Sequence, residues 1–523
     1  MMNTEEPIGS FALVLHSHLP WLAHHGSWPV GEEWLYQSWS SSYLPVVEVL
    51  QRLAAQGRTN LVTMGVTPVL AAQLDDPYCL SQFETWMGFW AERANQLASH
   101  PVEAKRVVGQ YEAGLARHRI AAFQSDWATG GSSVIRRLAD SGVVELLSGP
   151  ATHPFQPLLD DEIANFALAA GRADTALRTG AMPTGIWAPE CGYRPGLEDI
   201  YAANGVSHFM VDGPTLLHVG RSTADAWTVG DTDVVAFGRD LDVTYRVWSP
   251  RKGYPGGTWY RDFHTFEYES GIRPSRVTSV RTASEDKAPY DPPAAAAAAL
   301  ADAHDFVDVV RRRLGDLRAQ RDGKPGLVVV GYDTELFGHW WHEGPLWLEY
   351  VLRLLPEAGV KVTTLQKAIS DGAVAGNVLP HSSSWGSGKD WSVWSGAAVA
   401  DMVADNDDLM RNWRKLIEDA SAAGLTSTRS EVFDQLARDA LLALSSDWAF
   451  MVSKDSAAQY ARERHQHHHR DFHRLASAVR GALNGRRANW AIATEVATDQ
   501  RRTDGPFGHV DGRLLSTALP DFT

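Results

Sequence analysis

The stretch Gly185-Ile186-Trp187-Ala188-Pro189-Glu190-Cys191-Gly192-Tyr193 runs a short apolar segment into a proline and sets a carboxylate directly behind it. Proline cannot donate to a sheet ladder, so a strand that stops at Pro189 presents Glu190 at its mouth. Val328-Val329-Val330-Gly331-Tyr332-Asp333-Thr334-Glu335 repeats the arrangement, with Asp333 at the end of a β-branched run. Further short apolar segments lie at 11–15, 60–66, 143–147, 208–211, 234–237 and 360–363, several of them separated by helical-looking stretches. That is the pattern of parallel strands joined by crossover helices. It predicts an α/β fold, a distorted barrel whose strand C-termini gather on one face. The pattern alone neither counts the strands nor excludes an open doubly wound sheet.

Between Asp75 and Asp140 there is no strand signal, and residues such as Phe89, Trp90, Ala94, Leu97 and Ala98 fall at helical spacing. Residues 271–293 read as an irregular loop, after which Asp291 and Pro292 start a helix through the alanine run 294–299. Past 382–388 strand character disappears and helical periodicity covers 401–416, 430–444 and 457–483. The expected division is a barrel at 1–75 and 141–389, a helical insertion at 76–140 and a C-terminal all-helical domain at 390–523.

A chain of 523 residues is too long for one simple core. Its formal charge of −15, with no basic run, argues against nucleic acid or an anionic membrane as partner. No apolar run approaches the ~20 residues of a membrane span, and the first ten residues lack a secretory start, so a cytoplasmic location is expected. Two cysteines give no disulfide framework, and Cys191 reads as a small packed residue. Tryptophan, at 20, outnumbers phenylalanine at 17 and tyrosine at 14, and many of the tryptophans lie in polar loops. Broad aromatic faces with an N–H donor suit a ligand with apolar sugar faces and hydroxyl edges.

Two carboxylates at two strand ends among tryptophans point to a glycosidic bond as the target. Retaining chemistry needs a nucleophile and a general acid/base roughly 5 Å apart. With Leu13-Val14-Leu15-His16-Ser17-His18-Leu19-Pro20-Trp21 and the segment from Val143 to Pro154, which holds Glu145 and His153, the chain resembles glycoside hydrolase family 57. Within that family it is most similar to the α-1,4-glucan branching enzymes. Four of the family's five characteristic regions match in order from residue 16 to 341, and the fifth corresponds to the stretch beginning near Ser445-Ser446-Asp447-Trp448.

The resemblance implies an incomplete (β/α)7 barrel, Glu190 as nucleophile and Asp333 as acid/base. Glu335, two residues on, is the rival for the second role. It further implies that His16 and His18 donate to sugar hydroxyls, that Glu145 and His153 line the site, and that Asp447 contacts substrate. Tyr254, in a loop rich in glycine and proline, is expected to cover the site, with Trp259 the next candidate in that loop. Trp28, Trp394 and Trp413 are expected platforms for glucan. The reaction implied is branching of α-1,4-glucan donor and acceptor chains, with no cofactor, in a monomer or small homo-oligomer. A 4-α-glucanotransferase or α-amylase would differ only in the acceptor. The His16-x-His18 strand end, with His153, would instead suit a metal-dependent sugar deacetylase. A non-catalytic glucan-binding protein would lack one carboxylate. The cluster His465, His467, His468, His469 and His473 reads as a helix surface, with a structural metal as its alternative.

Overall fold

The computed structural model describes residues 6–27, 30–249, 253–279, 281–486 and 488–522. Its strands are β1 (Gly9–Ser17), β2 (Val62–Val66), β3 (Val144–Ser148), β4 (Gly185–Ile186), β5 (His208–Val211), β6 (Ala226–Val229), β7 (Val235–Gly238), β8 (Gly326–Asp333), β9 (Val360–Thr363) and β10 (Val374–Val378). They form one sheet in the order β10-β6-β7-β5-β4-β3-β2-β1-β8, parallel except where β6 meets β7. β2 pairs with the C-terminal half of β1 and β9 with its N-terminal half.

The far edge of β8 is joined to the rest of the sheet by single hydrogen bonds rather than a ladder. Asp240 N–H, just past β7, donates to Val329 at 2.7 Å, and Leu327 N–H donates to Ala224 at 3.0 Å. β1, β2, β3, β4, β5, β7 and β8 thus make an incomplete seven-stranded barrel, as the resemblance implied, with β6, β9 and β10 attached. β1 and β8 are almost continuously apolar and buried, as strands covered on both faces must be. β4 is only two residues long. At its first residue a Cβ on Gly185 would lie 2.2 Å from His208 Nε2, so only glycine lets the strands close there.

Residues 75–140 fold as the helices Pro77–Leu97, Glu103–Ala122 and Gly131–Asp140. The helix Pro292–Gln320 starts as expected, with the Asp291 side chain accepting from Ala294 N–H. Beyond residue 399 come the helices Ala400–Ala422, Glu431–Ala443, Ser446–Ser453, Ala458–Leu483 and Ala488–Arg501. They are not a separate body: one hydrophobic cluster runs from Phe11 and Leu15 in β1 through Phe83 of the insertion to Leu409, Phe433 and Phe472. Among the described residues no helix is long and apolar enough to cross a membrane.

Candidate active site

Because the barrel strands run parallel, His16, Glu190 and Asp333 all arrive at the same face. β1 and β8 pair in register, which sets His16 directly beside Asp333. Glu190 follows β4 in a short helical turn and takes a left-handed backbone, φ 59° and ψ 20°, and Cys191 follows at φ 49°. Such angles are uncommon for a residue with a side chain and mark a backbone that its surroundings hold in place. His153, after β3, is left-handed as well, at φ 57°.

The Glu190 carboxylate is clamped. Trp385 Nε1–H donates to one oxygen at 2.8 Å and Ser446 Oγ donates to the other at 2.8 Å, while Trp385 N–H also binds the Glu190 carbonyl. Burial pushes the carboxyl up to about 7, against the pull of the Trp385 and Ser446 donors. Asp333 has different surroundings: among the described residues no side chain hydrogen-bonds to its carboxylate. Burial first, then the negative charges of Glu335 and Glu190, push it well above the usual carboxylate range. A carboxyl so placed keeps its proton near neutral pH.

β8 ends at Asp333, and Glu335 sits in the following turn, Thr334–Leu336. The alternation that would have aimed both side chains alike is therefore broken. Glu335 instead accepts from His18 N–H at 3.1 Å and from the hydroxyl of Tyr43. Burial, eased by the Tyr43 bond, pushes its carboxyl up to about 7. Both donors fall on Oε1 of Glu335, whereas among the described residues neither oxygen of Asp333 has a side-chain donor.

The histidines form a stack over the floor of the site. His16 lies on Trp187 with ring centroids 4.3 Å apart, and His18 lies on His153 at 3.9 Å. His16 and His153 meet through their Nε2 atoms at 3.1 Å, and His153 Nδ1 lies 2.9 Å from Ser446 Oγ. Burial and the neighbouring imidazoles hold both well below the ordinary histidine value, so both are neutral. For His18 burial pulls down, but Asp447, 2.9 Å from its Nε2, outweighs it and raises the pKa. Asp447, buried yet facing that imidazole, is lowered in turn. His18, His153 and Asp447 offer ligand-type atoms within 4.8 Å of one another, a set that could hold a metal. In the structure the His18 and Asp447 atoms are spent on each other.

The remaining expected residues fare differently. Glu145 lies mid-strand in β3, where it bonds His208 Nε2 at 2.6 Å, Thr63 Oγ1 at 3.0 Å and Gln366 N–H at 2.9 Å. It ties strands β2, β3 and β5 to the helix Leu365–Ser370 and does not line the site. Trp413 is 0 % exposed and meets Phe166 edge-on, and Trp394 is 2 % exposed and stacks on Phe155. Neither leaves a face for a sugar; both are core. Trp28 lies outside the described residues.

Tyr254 is buried beside Trp341 and Trp347, and its hydroxyl donates to Asp305 of the helix Pro292–Gln320 at 2.5 Å. In this conformation it rests against the helical wall rather than over Glu190. Trp259 is 47 % exposed, with the Arg276 guanidinium 4.3 Å over its ring. Cys191 is fully buried, and burial raises its thiol. A cleft of about 1180 Å³ opens beside the motif that follows Asp333, lined by Trp86, Trp90, Tyr111, Phe263 and Trp340.

Sequence reasoning missed Tyr43, Ser446 and Arg239. Ser446 had a signal, since it lies beside Asp447 in a motif already singled out. Tyr43 had none, because a π-helical turn at Trp39–Tyr43 brings it to Glu335. Arg239, held to Asp212 at 2.9 Å, places its guanidinium 5.2 Å over the Trp385 ring and so backs the tryptophan that holds Glu190.

Residues 12–377 match the model of glycosyl hydrolase family 57, and residues 408–514 match that of the 1,4-alpha-glucan branching enzyme C-terminal region. The chain is 52 % identical to a probable 1,4-alpha-glucan branching enzyme of Mycobacterium tuberculosis, over 98 % of this chain and 100 % of that one. Its fold is similar to that of the family 57 branching enzyme of Thermococcus kodakaraensis, with a TM-score of 0.89 at 30 % identity and 98 % of each chain covered. It is also similar to an α-amylase of Thermotoga maritima, with a TM-score of 0.84 at 25 % identity over 98 % of this chain and 99 % of that one. On these matches, which agree with the barrel and with the order of its motifs, the chain belongs to glycosyl hydrolase family 57.

Proposed function

We propose that the protein is a retaining 1,4-α-glucan branching enzyme, in which Glu190 is the nucleophile and Asp333 the general acid/base. The observation that carries the reading is the contrast between two buried carboxyls on one barrel face. One is clamped by two donors, and the other, without a side-chain hydrogen bond among the described residues, keeps its proton. Glu190 attacks the anomeric carbon of an α-1,4 linkage while the Asp333 proton passes to the leaving glycosidic oxygen. The resulting glycosyl ester is released when Asp333 takes the proton of an acceptor 6-hydroxyl and that oxygen displaces Glu190. Two inversions give retention and an α-1,6 branch.

Neutral His16 and His153 line the floor of the site beside Glu190, with the ring nitrogens of His153 held by His16 and Ser446. The charged pair of His18 and Asp447 fixes the stack from below. The reaction needs no metal or cofactor, because two carboxyls supply both the nucleophile and the proton. In this reading the barrel spans 1–75 and 141–389, the insertion 76–140 and the helical domain 390–523, and the last of these lends Ser446 and Asp447 to the site. Transfer to a glucan acceptor rather than water is supported by the full-length likeness to branching enzymes and by the match over 408–514. The likeness to the Thermotoga α-amylase keeps hydrolysis as the second reading.

Incubation with amylose, followed by enzymatic debranching and chain-length analysis, decides between them. New α-1,6 points are expected. Small reducing sugars without branches select the amylase, and redistributed linear chains select a 4-α-glucanotransferase.

A further inference from the structure

The histidine cluster of the helix Ala458–Leu483 is not the solvated surface its composition suggested. His465, His468 and His469 are buried, and the cluster divides into two faces. His465 and His469 both turn their Nε2 atoms to Asn406 Oδ1, at 3.0 and 2.9 Å, and are satisfied there. His467 and His468 face the other way, toward Asp504 and His25.

We propose that His25, His467 and Asp504 form a binding site for a zinc-type divalent cation that staples the loop after β1 to the C-terminal helices. Three distant segments of the chain bring ligand-type atoms within 4.8 Å of one another here. His25 Nε2 lies 2.8 Å from Asp504 Oδ1 and His467 Nε2 lies 3.3 Å from Asp504 Oδ2. Ligand atoms around a tetrahedral ion with bonds of 2.0–2.1 Å stand roughly 3.3 Å apart, and an ion seated here would replace the hydrogen bonds that His25 and His467 now make to Asp504. The His25 and His467 rings stand at 79° to each other, splayed about the carboxylate rather than stacked. Two imidazoles, one carboxylate and an open fourth position for water suit zinc and its neighbours better than calcium or magnesium, which favour all-oxygen sets.

The surroundings are arranged for a cation. Arg464 points a guanidinium N–H at His468 Nε2, 2.9 Å away. Arginine can only donate, so the His468 proton sits on Nδ1. That Nδ1 is fully buried, has no hydrogen-bond partner among the described residues, and faces Asp504 Oδ2 at 3.7 Å, so that a small shift of the carboxylate would let it donate there. Asp471, 3.4 Å from His467 Nε2, adds a second negative group, and Arg464 is the opposing positive charge. The His25 and His467 side chains are 11 % and 34 % exposed, which leaves an entrance for the ion. Beside the site Trp21 Nε1–H bonds the carbonyl of Thr503 at 3.0 Å, so the same two segments already touch.

The test is titration of metal-free full-length protein with Co²⁺, read by its visible d–d absorption, and with Zn²⁺, read by equilibrium dialysis. One equivalent per chain is expected in the parent and in Glu190→Gln. His25→Gln and His467→Gln should each weaken binding by more than the roughly 10- to 100-fold that loss of an outer support costs. Circular dichroism checks that each variant is folded, and a variant that is not is replaced by His25→Asn or His467→Asn. Failure of the parent to bind either ion at micromolar concentration overturns the proposal. So does equal binding in the folded variants, or binding abolished by Asp447→Asn alone, which would place the ion among His18, His153 and Asp447.

Discussion

The two halves of the candidate active site are built on opposite plans. Around Glu190 everything is fixed: a left-handed backbone, a tryptophan N–H on one oxygen and a serine hydroxyl on the other. Around Asp333 the strand simply ends, and the negative charges of Glu335 and Glu190 outweigh the opposing charge of Arg239. The difference shows how one fold keeps two similar groups in different protonation states. Aim and ionisation come from donors, while proton retention comes from their absence in the company of other acids.

The most severe way to break that contrast is to erase each carboxyl in turn. Glu190→Gln and Asp333→Asn should each lower turnover by several orders of magnitude without disturbing the fold, since volume is kept while charge and proton transfer are lost. Azide should partly rescue a small-residue variant at one of the two. An active Asp333→Asn beside a dead Glu335→Gln would exchange the acid/base assignment.

Removing a donor is milder. Ser446→Ala takes away one of the two bonds that favour ionised Glu190 and should cost roughly 10- to 100-fold in kcat/KM. In the parent kcat/KM falls as pH drops through about 7, where Glu190 takes up a proton. In the variant the Glu190 pKa rises further, so this acid limb moves to higher pH. A loss of rate with no movement of the limb would make Ser446 a mere packing group.

Glu335→Gln acts on the other half. It removes the strongest charge holding the Asp333 proton, so the Asp333 pKa falls and the basic limb of the profile moves to lower pH. An unmoved basic limb would separate the two acids electrostatically. The smallest effect concerns partition rather than rate. Tyr254→Ala should raise the reducing ends released per bond broken, and Tyr254→Phe, which loses only the bond to Asp305, should do so less. Equal hydrolytic fractions in parent and both variants would leave shielding to other residues of the loop.

The ends of β4 and β8 were legible because an apolar run that stops at Pro189, or at Asp333 itself, sets a carboxylate at the strand's mouth. β6 and β10 were not: β10 contains Gly376 and Asn377 and is largely exposed, so it lacks the apolar alternation a reader needs. Trp413 was legible but misread, because with Leu409, Leu416 and Ile417 it falls on the buried stripe of one helix. Glu145 was misplaced for a different reason. Its motif runs into His153, yet it stands three residues before the end of β3, where it meets Thr63 rather than the site. The left-handed turns at His153 and Glu190 had no local sign either, since neither position holds the glycine or asparagine that usually announces one.

The clamp on Glu190 also sets a timetable. The serine that holds Glu190 and the aspartate that charges His18 are residues 446 and 447, more than a hundred positions behind Asp333 at the end of β8. A ribosome that has released the whole barrel has therefore not yet made a working site. Until codon 446 is read, Glu190 lacks its serine donor and His18 the aspartate that charges it.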